Sequence, residues 1–328
     1  MSHVLKFIYL SILVLTIISC SDDDDNVIKP PVTLDLIESA KIDPNLSIFV
    51  AALEKAELTT TLTGTGPFTV LAPSNEAFEA LYIELGVIGL DEIAVPTLRN
   101  ILLNHVIPDE KLSTSNLTSG QGSGYKTTLA TGDAATDINL NIFFDTTNGV
   151  LFNGLSSVIS GKEDIEATNG FLHQVASVIQ LPSVLEFITA DSNFDSLEEA
   201  LLQPEQAPVL EALNNETNTP LTIFTPTNLA FTALFEELSK EEEIVTLETI
   251  DAATLTNALN LHVIANMNVR AEASTDGTIP TLGGSITSTA SPATLTDSRN
   301  RTAEITISNL QASDGVVHVL NMVLLPMP

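Results

Sequence analysis

The pattern of apolar and polar positions is nearly the same in two stretches of the chain, residues 68–78 and 221–231. Each stretch has five strand-forming residues and a proline, followed by a hydroxyl residue, an asparagine and an apolar helical face. A Ser or Thr directly before a helix accepts hydrogen bonds from the first free N–H groups. The pattern therefore predicts a strand, a stop and a capped helix in each copy. The motif positions are Pro73, Ser74 and Asn75 in the first copy and Pro226, Thr227 and Asn228 in the second.

A second repeated pattern places a histidine on the apolar side of a helix. Apolar residues recur at the spacing of one helical face before His105, and the same spacing precedes His262. Each copy closes with a strand that is apolar on both sides, which is typical of an interior strand, and this strand carries His173 or His318. We therefore expect all four histidines to be buried.

These motifs occur in the same order twice, and together they resemble the fasciclin domain (FAS1). The resemblance implies an α+β fold with two tandem FAS1 domains, each a small β-sandwich-like core wrapped by helices. It places the first domain at residues 33–182 and the second at residues 183–328. Because only a few residues around Pro182 join them, we expect the two domains to be closely coupled.

The N-terminal segment has the features of a targeting sequence. Residues 7–18 form an apolar run, shorter than the roughly 20 residues that span a bilayer, and Cys20 follows it closely. This arrangement resembles a bacterial lipobox, which implies a lipoprotein signal peptide at residues 1–19, cleavage before Cys20 and lipidation of that cysteine. An ordinary signal peptide followed by an unrelated cysteine is the alternative.

An acidic tether follows at residues 20–32. It contains the run Ser21, Asp22, Asp23, Asp24 and Asp25. This run resembles the surface-export signal of lipoproteins from Bacteroidota, which implies an outer-membrane lipoprotein that faces the cell exterior. The plainer interpretation is a solvated spacer, because four adjacent like charges repel one another, and the periplasmic face is then the alternative location.

Composition narrows the classes of function. The chain has 12 Lys and Arg against 42 Asp and Glu, and the formal charge of −30 excludes general nucleic-acid binding, which requires a basic face. The single cysteine excludes an intramolecular disulfide and a cysteine-based zinc site. Aromatic residues make up 5% and Trp is absent, so a sugar-stacking platform would have few side chains to use.

The sequence predicts no catalytic residues, no metal site and no cofactor. It lacks a Gly-x-Ser-x-Gly nucleophile elbow, while its many carboxylates leave a glycosidase-type pair open by count alone. Two neutral imidazoles can bind a metal, but no His-x-x-x-His or Glu-x-x-His spacing supplies a further ligand. A structural role, with each ring hydrogen-bonded in the core, is the favoured interpretation.

One candidate interaction site follows from the resemblance. In animal relatives, an Asp-Ile pair before the closing strand and a Tyr-His pair have been tied to adhesion. The first copy keeps the former pair as Asp164 and Ile165, whereas the second copy has Asn309 and Leu310 there. Neither copy has the tyrosine, so integrin-type recognition is not carried over.

These features favour a lipid-anchored cell-surface protein for adhesion or protein–protein interaction, without catalysis. Its expected partner is an unknown surface or matrix macromolecule, protein or glycan, and it meets the membrane through the lipid anchor only. The alternative is a glycan-binding accessory lipoprotein associated with an outer-membrane sugar uptake system. A hydrolase is a third interpretation, which two carboxyl groups about 5–10 Å apart in one cleft would indicate.

Overall fold

The computed structural model describes residues 32–120, 122–239, 244–273 and 276–327. The residues assigned to lipidation and export, 20–25, lie outside these ranges. Within them, every helix is too short or too polar to cross a membrane. The chain from Val32 onward forms one compact unit.

The elements of residues 33–182, called here the first repeat, begin with helices, and most strands follow. In chain order they are α1 (Leu36–Lys41), α2 (Ser47–Lys55), α3 (Thr59–Leu62), β1 (Phe68–Pro73), α4 (Asn75–Leu85), α5 (Val95–Asn104), β2 (Val106–Pro108), α6 (Thr114–Thr118), β3 (Ser123–Gly132), β4 (Ala135–Asp145), β5 (Leu151–Phe152), β6 (Ser156–Ser157), β7 (Ile165–Ala167) and β8 (Gly170–Val175).

The elements from residue 183 onward, called here the second repeat, follow a similar order. They are α7 (Val184–Ala190), α8 (Asp195–Leu201), α9 (Ala207–Asn214), β9 (Leu221–Pro226), α10 (Asn228–Leu238), α11 (Ala252–Leu261), β10 (Val263–Ile264), β11 (Gly277–Thr281), β12 (Gly284–Thr289), β13 (Thr294–Thr296), β14 (Thr302–Gln311) and β15 (Gly315–Leu320). Short 3-10 turns lie at Pro44–Leu46, Leu90–Glu92, Ser192–Phe194, Pro204–Gln206, Glu216–Asn218 and Ala271–Ala273.

The sheets of both repeats are built around a parallel pair of strands. Strand β1 pairs in parallel with the closing strand β8, and β9 pairs in parallel with β15, with an antiparallel neighbour on each side of the pair. In the second repeat the long β14 continues the sheet to β13, β12 and β11, giving seven strands. In the first repeat β7 has three residues, and β3 to β6 form a separate four-stranded sheet. The result is the expected α+β architecture.

The glycine that opens each closing strand is required by close backbone packing. A Cβ atom at Gly170 would overlap the carbonyl oxygen of Phe68, and one at Gly315 would overlap that of Leu221. The Asn-Gly and Asp-Gly pairs predict turns, but the structure adds a second reason for the glycine. It lets the parallel pair of each repeat approach to hydrogen-bonding distance.

The residue before that glycine holds the first helix of its repeat. Asn169 Oδ1 accepts a 3.1 Å hydrogen bond from the backbone of Leu36, which begins α1. Asp314 Oδ1 accepts the corresponding 2.8 Å bond from Val184, which begins α7. Each repeat therefore connects its first helix to its last strand.

Candidate interaction site

Strands β1 and β9 end at Pro73 and Pro226, and the next residue fixes the following helix. Ser74 Oγ accepts a 3.2 Å hydrogen bond from the third backbone N–H of α4. Thr227 Oγ1 accepts a 3.3 Å bond from the same position of α10. The predicted caps are confirmed, and both hydroxyls have a structural role.

The asparagine after each cap joins its helix to an earlier one. Asn75 Oδ1 accepts the backbone N–H of Ile48 at 2.9 Å, within α2. Asn228 Oδ1 accepts that of Ser196 at 2.9 Å, within α8, while its amide donates to the carbonyl of Ser192 at 2.8 Å. Both asparagines are only partly exposed, and their side-chain amides are already hydrogen-bonded to backbone groups.

His105 and His262 directly follow α5 and α11 and are buried, as predicted. Nδ1 of His105 donates to the carbonyl of Ile101 at 2.8 Å, and its Nε2 accepts the N–H of Ile179 at 2.9 Å. His262 makes the corresponding two bonds, at 2.7 and 3.0 Å. Burial lowers the pKa of each ring to about 4, so both are neutral at pH 7.

His173 and His318 lie on the closing strands and are also buried. Nε2 of His173 donates to the carbonyl of Leu112 at 2.8 Å, and Nδ1 accepts the backbone N–H of Asp164 at 3.1 Å. His318 repeats this arrangement with the carbonyl of Val269 at 2.9 Å and with an equivalent backbone N–H at 3.4 Å. Burial lowers the pKa of both rings.

The hydrogen bonds of the four histidines bear directly on metal binding. Every ring nitrogen is bonded to backbone, so a coordinating metal would have to break a buried hydrogen bond. In the parts of the chain that the structure describes, no group of three or more His, Cys, Asp or Glu side chains could hold a metal ion.

Asp164 occupies a constrained corner just before β7. Its φ is +54°, in the left-handed region that Asp and Asn tolerate better than most residues. Its carboxylate accepts hydrogen bonds from both the backbone N–H and the hydroxyl of Thr114, each at 2.7 Å. The carboxylate lies 3.7 Å from Nδ1 of His173, but this is not an ion pair, because Nδ1 of the neutral ring carries no proton and accepts a hydrogen bond from the backbone N–H of Asp164. Asp164 thus holds the start of α6.

The second repeat preserves this corner with a different residue. Asn309 has φ +65°, and its Oδ1 accepts the backbone N–H of Ala271 at 2.8 Å. The second copy lacks the Asp-Ile pair, yet it retains the left-handed backbone and the side-chain acceptor that Asp164 provides in the first copy. Ile165 is half-buried and packs on the core of the first repeat.

The positions before the helix-end histidines face inward. Asn104 is completely buried, and its amide donates to the carbonyl of Gln180 at 2.9 Å. Leu261 is equally buried in the second repeat. Neither side chain can contact a partner in this conformation, so neither replaces the missing tyrosine.

The two repeats meet through a cluster of aromatic side chains that the sequence analysis missed. The ring of Tyr125, in β3, lies 5.1 Å from Phe143 and 5.3 Å from Phe187 of the second repeat, measured between centroids. The Tyr125 hydroxyl donates a 3.0 Å hydrogen bond to Asp191 Oδ2, and burial raises the pKa of this tyrosine. The expected close coupling is therefore present.

Backbone hydrogen bonds reinforce this junction. The N–H of Gln311 donates to Asn141 Oδ1 at 2.7 Å, and the N–H of Ala134 donates to the carbonyl of Ser313 at 2.9 Å. In each of these two bonds, the donor and acceptor residues lie more than 160 residues apart in the sequence. No periodic pattern marks such contacts in advance.

A cleft of about 300 Å³ beside the junction is lined by Asp145 and Asp191 among others. Asp145 Oδ1 accepts hydrogen bonds from the backbone and hydroxyl of Thr147, at 2.8 and 2.7 Å, and these bonds lower its pKa. Asp191 Oδ1 accepts the backbone N–H of Asn193 at 3.0 Å. A general acid for glycoside hydrolysis needs a raised pKa instead, so Asp145 is not suited to that role.

Comparison with protein families gives two matches along the chain. The model for the Fasciclin domain matches residues 44–182 and again residues 193–326. "Protein sll1483" of Synechocystis is 33% identical over 151 residues, which cover 45% of this chain and 73% of that protein. "Uncharacterized protein sll1735" of the same organism is 32% identical over 144 residues, 44% of this chain and 96% of that protein.

Human periostin is a longer relative. It is 30% identical over 186 residues, which cover 55% of this chain but 20% of periostin. Among solved structures, a FAS1 domain pair from the insect cell adhesion molecule fasciclin I aligns with a TM-score of 0.48 and 18% identity. That alignment covers 84% of this chain and 92% of the solved one.

Proposed function

This chain belongs to the fasciclin domain family and carries two tandem copies of the domain, and on that premise we propose that it is a lipid-anchored cell-surface protein for adhesion or protein–protein interaction. The family is one of cell-adhesion and matrix-interaction proteins. The proposal includes the absence of catalysis, so the chain acts by binding.

One observation carries this proposal. The polar side chains shared by the two repeats, from the helix caps to the four histidines, all hold the protein's own backbone. In the described residues, these shared side chains form no set of convergent, unbonded groups of the kind that catalysis needs. The repeats also differ on the surface, as at exposed Ile83 of the first and exposed Glu236 of the second, which favours recognition of another macromolecule there.

The charge of the chain indicates the chemistry of its partner. With 12 basic and 42 acidic residues, the surface favours basic patches on a protein partner and repels anionic polymers. Binding should therefore weaken as salt is raised, because salt screens exposed charges.

We further propose that Cys20 is lipidated and that the acidic run after it directs the protein to the outer face of the outer membrane. Globomycin, which blocks the lipoprotein signal peptidase, should leave the signal peptide uncleaved, and Cys20→Ser should release the protein from membranes. Replacing all four aspartates at 22–25 by asparagine should preserve lipidation but remove access to external protease on intact cells. If the asparagine variant remains accessible, the run is only a spacer.

We also propose that the first domain ends at Pro182 and the second begins at Ser183. Each repeat then opens with the same device, a capping box before its first helix. Asp35 and Glu38 form it in the first repeat, and Ser183 and Glu186 form it in the second.

An adhesion assay tests the function itself. Cells that display the full chain should bind immobilised matrix proteins in a saturable, salt-sensitive way, and cells carrying the Cys20→Ser variant should not. A glycan array with the same cells provides the contrast. Binding to glycans without binding to any protein would contradict the proposal and favour the sugar-uptake alternative.

A further inference from the structure

The end of helix α4 presents apolar side chains to solvent. Ile83 is 83% exposed and Ile88, just beyond the helix, is 91% exposed. We call these two residues, with the neighbouring acidic residues Glu79, Glu84 and Asp91, the α4 patch. Scattered exposed apolar residues are normal, but two isoleucines this exposed and five residues apart in the sequence are less usual on a strongly charged protein.

The turn that carries the α4 patch is held by hydrogen bonds. Gly86 ends α4 with a φ of +67°, and the N–H of Val87 donates to the carbonyl of Tyr82 at 2.9 Å. The N–H of Ile88 donates to Glu92 Oε2 at 3.0 Å. The backbone around Ile88 is thus fixed while its side chain remains outside the core.

The surroundings of the patch are acidic. The sequence has no Lys or Arg between Lys55 and Arg99. Lys55 itself reaches the turn, where its ammonium donates to the carbonyl of Leu90 at 2.6 Å. Burial raises the pKa of Tyr82, and the nearby charges of Asp91 and Glu79 raise it further.

The second repeat shows that the scaffold does not need these isoleucines. At the offset of the repeated motif, the residues in place of Ile83 and Ile88 are Glu236 and Glu241. Glu236 is exposed on α10, which packs as α4 does. The apolar pair therefore belongs to the first repeat alone, and burial of the core does not explain it.

We propose that the α4 patch is the docking surface for a basic protein segment that presents an apolar side chain among its lysines or arginines. The isoleucines would be covered by the apolar side chain and the rim carboxylates would face the cations. A second copy of this chain is disfavoured because it carries the same large negative charge. This inference rests on the proposed function as a binding protein.

Two synthetic helical peptides test the proposal with the purified full chain. Both carry the same number of lysines, but one has a leucine stripe and the other has serine at those positions. Isothermal titration should show binding of the leucine peptide at least about tenfold tighter than that of the serine peptide, a difference that corresponds to about 1.4 kcal/mol. Equal affinity would overturn the proposal, because charge alone would then explain binding.

A double variant, Ile83→Glu with Ile88→Glu, isolates the apolar contribution. It adds negative charge, which on electrostatic grounds should strengthen binding of a basic peptide, yet we expect the leucine peptide to bind at least about tenfold more weakly. The matched control is Leu202→Glu with Leu229→Glu, which makes the same change at two exposed leucines of the second repeat. An equal loss in the control, or no loss in the patch variant, would overturn the proposal.

Two further measurements separate this inference from the proposed function. If sedimentation shows self-association that Ile83→Glu removes, the occupant is a second copy and the proposal is wrong. If cells with the patch variant adhere to matrix proteins as well as wild-type cells, the docking surface is wrong while the proposed function stands. If the wild-type chain binds no protein in any of these assays, the proposed function itself is contradicted.

Discussion

The hydroxyl of Tyr125 donates a 3.0 Å hydrogen bond to the carboxylate of Asp191, and this bond crosses from the first repeat to the second. The tyrosine ring also contacts Phe187, whose neighbours are the core residues of the second repeat. Phe143 of the first repeat belongs to the same apolar cluster. The junction is therefore part of a core as well as a surface contact.

We predict that Tyr125→Phe lowers the free energy of unfolding by about 1–3 kcal/mol, because the charged acceptor Asp191 loses a buried donor. Urea denaturation measures the change. A double-mutant cycle with Asp191→Asn should give a coupling of about 1 kcal/mol. Tyr82→Phe, at a half-buried position of α4, is the control and should lower the free energy of unfolding by less. If the effects of the Tyr125 and Asp191 substitutions simply add, the two side chains are not coupled and the proposed role of the bond is wrong.

Substitutions at Asp164 distinguish a structural role from an interaction role. We predict that Asp164→Asn changes the free energy of unfolding by less than about 1 kcal/mol, because an asparagine, Asn309, occupies the equivalent corner. Asp164→Ala should lower it by about 2–3 kcal/mol, because alanine cannot bond to Thr114 and tolerates the positive φ less well. Thermal unfolding measures both. If Asp164→Asn keeps stability but abolishes adhesion, the carboxylate contacts the partner directly.

Glycine substitutions test the close approach within the parallel pairs. Gly170→Ala and Gly315→Ala should each destabilise the fold by about 1–3 kcal/mol or prevent it from forming, because the new methyl group meets a backbone carbonyl. Gly89→Ala is the control, since nothing lies within 4 Å of a Cβ there. A fall in urea midpoint confined to the first two variants is expected; equal effects in all three would contradict it.

Acid should destabilise the protein through its buried histidines. The pKa of His105 and of His262 is about 4 in the fold, below the ordinary value of 6.5, so the unfolded chain binds more protons between these limits. Their stabilising contribution is complete above about pH 6.5 and declines as the pH falls towards 4, by up to about 3 kcal/mol for each ring. Urea midpoints measured from pH 7.5 to 4.5 should fall accordingly.

A site-resolved measurement checks the cause of that decline. His262 faces Arg301, which lowers its pKa, and Asp297, which raises it, while burial is the dominant effect. NMR titration should show the ring protons of His105 and His262 unchanged between pH 7.5 and 5.5. A midpoint near 6.5 for either ring would show that it is accessible to water and would contradict the buried arrangement.

The sequence predicted local structure well, because helices, strands and helix caps require particular residue types at regular spacings. The caps at Ser74 and Thr227 and the burial of His105 follow from spacing alone, and the tandem α+β fold followed from the order of the motifs. The contact of Tyr125 with Asp191 follows no such spacing, because its partners belong to different repeats.

The corner before each closing strand shows a second limit. Comparison of residue identities separates Asp164 from Asn309, whereas their backbones share the same left-handed conformation. Asp and Asn are the non-glycine residues that most readily adopt it. Attention to conformational preference, rather than to charge, would have paired the two positions from the sequence.

The parallel pairing of β1 with β8, and of β9 with β15, also governs when each repeat can fold. In both cases the partner strands are separated by roughly 100 residues, and such distant contacts are slow to form. A ribosome delivers the closing strand late, so the central sheet of a repeat stays incomplete until nearly the whole repeat has been synthesised. The first helix of each repeat, which donates a hydrogen bond to the residue just before that strand, therefore gains this contact only at the end of synthesis.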